Sequence, residues 1–160
     1  MIIEKIVGNI KTAAADGRRK DSVQLDWYER EKKLLSKVSE GGETIGIRVD
    51  KPIEDGDILY QDEDRVIYID ILPTELIHIS VHTMQEMGHL CFELGNRHLS
   101  LAIREDYVQV PYDEPTYLYL KKLGFEAVKK EEKFLDYTVC HAHAHSHADM
   151  HQNGEPHDYE

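Results

Sequence analysis

Cysteine is scarce in this chain: two in 160 residues, Cys91 and Cys140. Two thiols build no disulfide framework, which fits a reducing compartment. No apolar run reaches the roughly eighteen residues that a membrane helix needs, and the first residues lack the charged and apolar regions of a secretory signal. A cytoplasmic location and no membrane partner are expected. Positive charge is also short, since 19 Lys and Arg against 31 Asp and Glu leave a formal net charge of -12. That balance argues against nucleic acid and suits cations and basic partners. Missing too are a Gly-x-Ser-x-Gly elbow, a phosphate-binding loop, a His-Glu-x-x-His helix and any acid and base pair of carboxylates by spacing. The reading is therefore of a protein that is not an enzyme, with no catalytic residue assigned.

Histidine is what the chain has in plenty. Six of its ten histidines fall in the last twenty residues, four of them alternating in Cys140-His141-Ala142-His143-Ala144-His145-Ser146-His147. Imidazole is the commonest protein ligand for borderline divalent transition metals. In an extended chain, side chains two residues apart project to the same side about 6.6 Å apart, so neighbouring rings can turn toward one ion. His151 and His157 continue the supply, and Cys140, Asp149, Glu155 and Asp158 offer further donors. The interleaving sets the run apart from an unbroken purification tag, and its composition reads as metal binding.

The first seventy residues show period-two patterning broken by glycine and aspartate, as in Val23, Leu25 and Trp27 or Ile45, Ile47 and Val49, the mark of a small all-β unit. Tyr28 to Leu35 fits a strand or a short helix equally, and Ala13 to Lys20 reads as a loop. The acidic runs Glu54-Asp55-Gly56-Asp57 and Asp62-Glu63-Asp64 read as solvated loops. Leu72-Pro73-Thr74 is the expected joint, because proline ends the preceding strand. A strand through Ile77, Ile79 and Val81 follows. Thr83-Met84-Gln85-Glu86 then has the form of a capping box, opening a helix whose stripe is Met84, Met87, Cys91 and Leu94, with Gly95 as its stop. A hairpin of Leu99-Leu101-Ile103 and Val108-Val110-Tyr112 comes next, then a helix with Pro115 in its first turn, Leu120 and Leu123 buried and Gly124 at its end, and a last strand from Phe125. The predicted class is α+β: a small all-β N-terminal domain (1–72), a ferredoxin-like βαββαβ domain (73–138) and a disordered His-rich tail (139–160).

His78 and His82 read as surface or capping residues, His89 points to solvent, and Cys91 reads as a small buried hydrophobe. His98 differs. It follows the helix end in Leu94-Gly95-Asn96-Arg97-His98, so the turn fixes its direction, and position alone leaves a structural and a ligand role equally open.

Thr83-Met84-Gln85-Glu86-Met87-Gly88, running into Phe92-Glu93-Leu94-Gly95-Asn96-Arg97-His98, closely resembles the UreE family of urease accessory proteins, the nickel metallochaperones of urease maturation. Leu25-Asp26-Trp27, Asp55-Gly56-Asp57-Ile58-Leu59-Tyr60 and the His-rich C-terminus extend the likeness over most of the chain. The resemblance implies a β-rich N-terminal domain that contacts partner proteins, a ferredoxin-like C-terminal domain and a homodimer. It also implies Ni(II) bound at the dimer interface by His98, with tail histidines, here His141, His143, His145 and His147, adding ligands. Some members carry two histidines in the link after the hairpin, where this chain has Tyr112 and Glu114; a second metal site is doubtful here, though Glu114 could give an oxygen.

One imidazole is a single ligand, but a two-fold axis beside it would bring a second copy to the same ion. Tethered tail histidines would then act at an effective concentration on the order of millimolar. Zn(II) or Cu(II) could occupy such ligands in vitro, Cu(II) more tightly, so nickel rests on the resemblance. It implies delivery to the complex of apo-urease with its maturation GTPase. The alternatives are a general metal buffer or storage protein and a metallohydrolase using His98 with a carboxylate.

Overall fold

The computed structural model describes residues 1–13 and 17–139. Cys140 and the tail histidines His141, His143, His145, His147, His151 and His157 lie outside the described residues, as does the expectation of a disordered tail.

The strands of the first half are β1 (Ile2–Ile3), β2 (Gly8–Asn9), β3 (Arg19–Leu25), β4 (Leu34–Val38), β5 (Thr44–Arg48), β6 (Asp57–Gln61) and β7 (Arg65–Ile71). They form two sheets, ordered β1-β5-β4 and β2-β6-β7-β3. Alternating aliphatics supply the core between them, including Val23, Leu25, Ile45, Ile47, Ile67, Ile69 and Ile71. The ambiguous Tyr28–Leu35 segment divides: Trp27–Glu29 is one 3₁₀ turn, capped when the Glu29 carboxylate accepts the Asp26 amide at 3.0 Å, and β4 follows. Gly56 makes the turn into β6 with φ 87°, where an added Cβ would sit 2.8 Å from the Asn9 side-chain oxygen. Only glycine fits there.

The acidic run around that turn is not solvated, contrary to the sequence reading. Asp55 and Asp57 are buried. Asp57 accepts the Glu54 amide at 2.9 Å and Asp55 accepts the Ile71 amide at 2.9 Å. Their carboxylates replace backbone partners that the tight turn cannot provide.

The second half runs β8 (Thr74–Ser80), α1 (Met84–Asn96), β9 (Ala102–Ile103), β10 (Tyr107–Pro111), α2 (Glu114–Lys122) and β11 (Glu126–Glu132). Its sheet is antiparallel and ordered β11-β8-β10-β9, the ferredoxin-like arrangement expected. Ile77, Ile79, Val108 and Val110 face the helices and pack on Leu90, Leu94 and Leu120. Half of the expected capping box forms: Thr83 Oγ1 accepts the Glu86 amide at 3.1 Å, but the Glu86 carboxylate accepts the His82 amide, one residue before the cap, at 2.8 Å, in place of the Thr83 amide. Asp113 caps α2 through the Thr116 amide at 3.0 Å.

Some local readings need correction. Met84, in the first turn of α1, is 87% exposed; the core-facing stripe is buried Leu90 and Leu94 with half-buried Met87 and Cys91, one turn further along. Leu123, at the C-cap of α2, is 38% exposed, because the helix is already leaving the sheet. The first hairpin strand shrinks to Ala102–Ile103, and Ile103, on the edge strand, is 44% exposed. Gly95 does not stop α1, which continues through Asn96.

The face of the second sheet away from the helices is partly covered by residues 133–138, which clasp the two halves together. Phe134 is fully buried against Leu76 and Ala102 and meets Trp27 edge-to-face, ring centroids 5.1 Å apart. Tyr137 stacks on Phe134 at 4.6 Å and donates its hydroxyl to the Trp27 carbonyl at 3.2 Å. Lys133 reaches back to Asp55 at 2.9 Å and Asp70 at 2.7 Å. Arg104 donates to the Leu135 carbonyl at 3.0 Å, and Thr138 pairs with Leu101 through both backbone hydrogen bonds. Aromatic packing of this kind contributes about 0.5–1.5 kcal/mol per ring pair beyond simple burial.

Candidate metal site

Arg97 ends α1 as its C-cap, and His98 follows with φ 56°, in the left-handed region. The His98 amide donates to the Gly95 carbonyl at 3.0 Å and the Leu99 amide to the Leu94 carbonyl at 3.5 Å. This is the Schellman pattern, and His98 holds the position that glycine most often takes. A non-glycine residue there costs about 1–2 kcal/mol. Such strain is retained where the surroundings fix it, frequently at functional sites.

The turn sets exposed His98 on the wall of an open cleft of about 680 Å³, lined also by Trp27, Arg97, Leu99, Tyr112, Asp113 and Thr116. The cleft joins the halves: Trp27 comes from the β-rich part, and the rest from the α1–β9 link, the β10–α2 link and the adjoining ends of α1, β10 and α2. Asp113 brings negative charge. Hydrogen bonds from the Thr116 hydroxyl and amide hold its carboxyl below the usual carboxylate range, with Arg97 adding to the effect. Glu114 is exposed and does not line the cleft; Tyr112 and Asp113 do.

The other described histidines stand apart from this cleft. His78, half-buried on the sheet face away from the helices, stacks on Tyr107 at 4.4 Å and lies 3.3 Å from Gln109. Burial, with Lys130 nearby, pushes its imidazole below the ordinary range. Exposed His82 and His89 pair with Glu126 at 3.2 Å and Glu93 at 3.4 Å. Cys91 is half-buried on the α1 stripe, and burial raises its thiol. Among the described residues no group of three or more His, Cys, Asp or Glu side chains could by itself hold a metal ion. Sequence reasoning found His98 but not its cleft partners Trp27 and Asp113. An N-cap signal, Asp113 before Pro115, was available for the second; nothing local marks the first.

A β-rich module clasped to a ferredoxin-like module, with one turn-fixed imidazole in a cleft at their junction, makes a two-module protein whose candidate site lies where the modules meet. The UreE urease accessory protein N-terminal domain matches residues 3–72 and the UreE C-terminal domain residues 74–160. The urease accessory protein UreE of Bifidobacterium longum subsp. infantis is 43% identical over 145 residues, 90% of this chain and 66% of that protein, so the chain spans just under two thirds of that relative. That of Acetivibrio thermocellus is 36% identical over 153 residues, 94% of this chain and all of that protein, and that of Actinobacillus pleuropneumoniae 36% over 139 residues, 82% and 74%. The chain belongs to the UreE family of urease accessory proteins, a nickel metallochaperone family.

Proposed function

We propose that this protein carries Ni(II) to apo-urease during assembly of the urease metallocentre, acting as a carrier and not as a catalyst. The observation that carries the reading is His98, held in left-handed backbone by a Schellman turn and set into an open cleft. One imidazole cannot retain a divalent ion. In a homodimer whose axis passes near the cleft, two copies of His98 would share the ion, and His141, His143, His145 and His147 would complete its sphere from the tail. Ligands made singly can be exchanged singly, so the ion is held yet can be passed on. Family membership and the net charge of -12 support a cationic cargo, handed over in the cytoplasm to a complex of apo-urease with its maturation GTPase. In this scheme residues 1–72 meet partners, 73–138 dimerise and bind metal, and 139–160 gather nickel. Zn(II) or Cu(II) would load the same ligands in vitro.

Calorimetric titration of the intact protein and of His98→Ala with nickel tests the scheme. The variant should lose the tightest site while keeping its circular dichroism and its mass by light scattering. An unchanged first affinity would remove His98 from the site.

A further inference from the structure

Arg97 is exposed, yet its side chain is tied down. Its Nε donates to Thr116 Oγ1 at 3.2 Å, and its guanidinium carbon lies 5.2 Å from the centroid of the Tyr119 ring. Both anchors are themselves fixed. The Thr116 hydroxyl donates to Asp113 at 2.7 Å, and the Tyr119 hydroxyl donates to Glu93, on α1, at 2.7 Å. Arg97 thus bolts the end of α1 to the first turns of α2, one residue before the strained backbone of His98. A planar guanidinium that stacks and hydrogen-bonds at once does this in a way an ammonium cannot.

We propose that Arg97 is a positioning residue for His98: it fixes the α1–β9 link so that the imidazole stays directed into the cleft for a divalent ion. The inference rests on the reading of His98 as a nickel ligand. Its sign is opposite to that of plain electrostatics. A cation beside a dication repels it, so if charge alone mattered, removing Arg97 would tighten binding. If position matters, removal weakens binding, as loss of a group that orients a ligand typically does by about 10–100-fold.

The test uses the full chain as wild type, Arg97→Ala, Arg97→Lys, His98→Ala and the Arg97→Ala/His98→Ala double variant. First-nickel affinity is read by competition titration, and cleft occupancy by quenching of the single tryptophan, Trp27, which lines the same cleft. Arg97→Ala is expected to weaken the first ion about tenfold or more with circular dichroism unchanged. Arg97→Lys, which keeps charge but not the fork, should also be weakened, and it carries the comparison if the alanine variant folds poorly. In the His98→Ala background the arginine change should have no further effect. Unchanged or tighter binding in Arg97→Ala while His98→Ala is weakened overturns this inference alone, and so does an equal loss in both backgrounds. Wild-type affinity in His98→Ala overturns the nickel reading of His98 and this inference with it.

Discussion

His98→Gly should make the protein more stable and remove its tightest nickel site at once. The wild-type residue sits at φ 56° at the glycine position of a Schellman turn. Any L side chain pays for that backbone about 1–2 kcal/mol, and histidine falls toward the lower end because it is among the residues enriched there. Glycine removes the cost but loses more freedom on folding, by roughly 0.5–1 kcal/mol. The net gain is expected to be up to about 1 kcal/mol, or roughly 2–4 °C in melting temperature at this chain length. His98→Ala separates the two effects, since alanine keeps the Cβ and the strain while losing the imidazole. Both variants should lose the first nickel site, and the glycine variant alone should melt above wild type. Urea unfolding of the metal-free proteins, followed by circular dichroism, reads the stability difference, and nickel titration reads the site. A glycine variant no more stable than the alanine variant would mean that this backbone carries no strain, and full nickel affinity in either would mean that the imidazole is not the ligand.

Three further outcomes follow from other parts of the molecule. Phe134→Ala empties a fully buried site at the clasp and should cost about 3–5 kcal/mol, with Trp27 emission shifting to longer wavelength; unchanged emission would contradict the packing of Phe134 on Trp27. Burial by itself would raise the Asp55 carboxyl, but hydrogen bonds from Lys11, the Ile71 amide and Lys133 outweigh it and hold the group below its ordinary range. A depressed folded value stabilises above the unfolded pKa of about 3.9 and is lost as pH falls through the folded one. Trp27 emission should therefore show a transition below about pH 4 that Asp55→Asn diminishes, and identical acid profiles would exclude this carboxylate as the cause. Deleting residues 141–160 removes six histidines and should leave metal-free melting nearly unchanged while cutting nickel capacity in equilibrium dialysis; equal capacity would show that the alternating run is not a reservoir.

The parts that could be read in the sequence are those whose cause is local. Thr83 and Glu86 announce α1, Pro115 announces α2, and alternating Ile77, Ile79 and Val81 mark the central strand, so the ferredoxin-like order followed from the pattern alone. His98 stood out because it comes directly after a helix end. The errors share one physical origin, dependence on partners far away in the chain. Asp55 looked like a loop carboxylate because nothing nearby reveals Lys133, 78 residues further on. Trp27 fitted a strand face, whereas its surroundings are Phe134 and Tyr137. Gly95 seemed the natural helix stop, but the turn geometry transfers the left-handed step to His98. The cleft was half legible for the same reason: His98 was marked locally, and the opposite wall was not.

The clasp of residues 133–138 has a bearing on how the chain is made. Synthesis proceeds from the N-terminus, at about 5–20 residues per second in the cell. Among the described residues, the last strand of the two halves ends at Glu132. Each half can therefore begin to fold on the ribosome before Phe134 and Tyr137 leave the exit tunnel. Until they do, Trp27, Leu76 and Ala102 lack the aromatic cover that unites them in the finished molecule. Joining the halves is expected to be a late event of biogenesis, and a chain truncated after Glu132 and released from the ribosome would display two formed modules with their mating surfaces open to a chaperone.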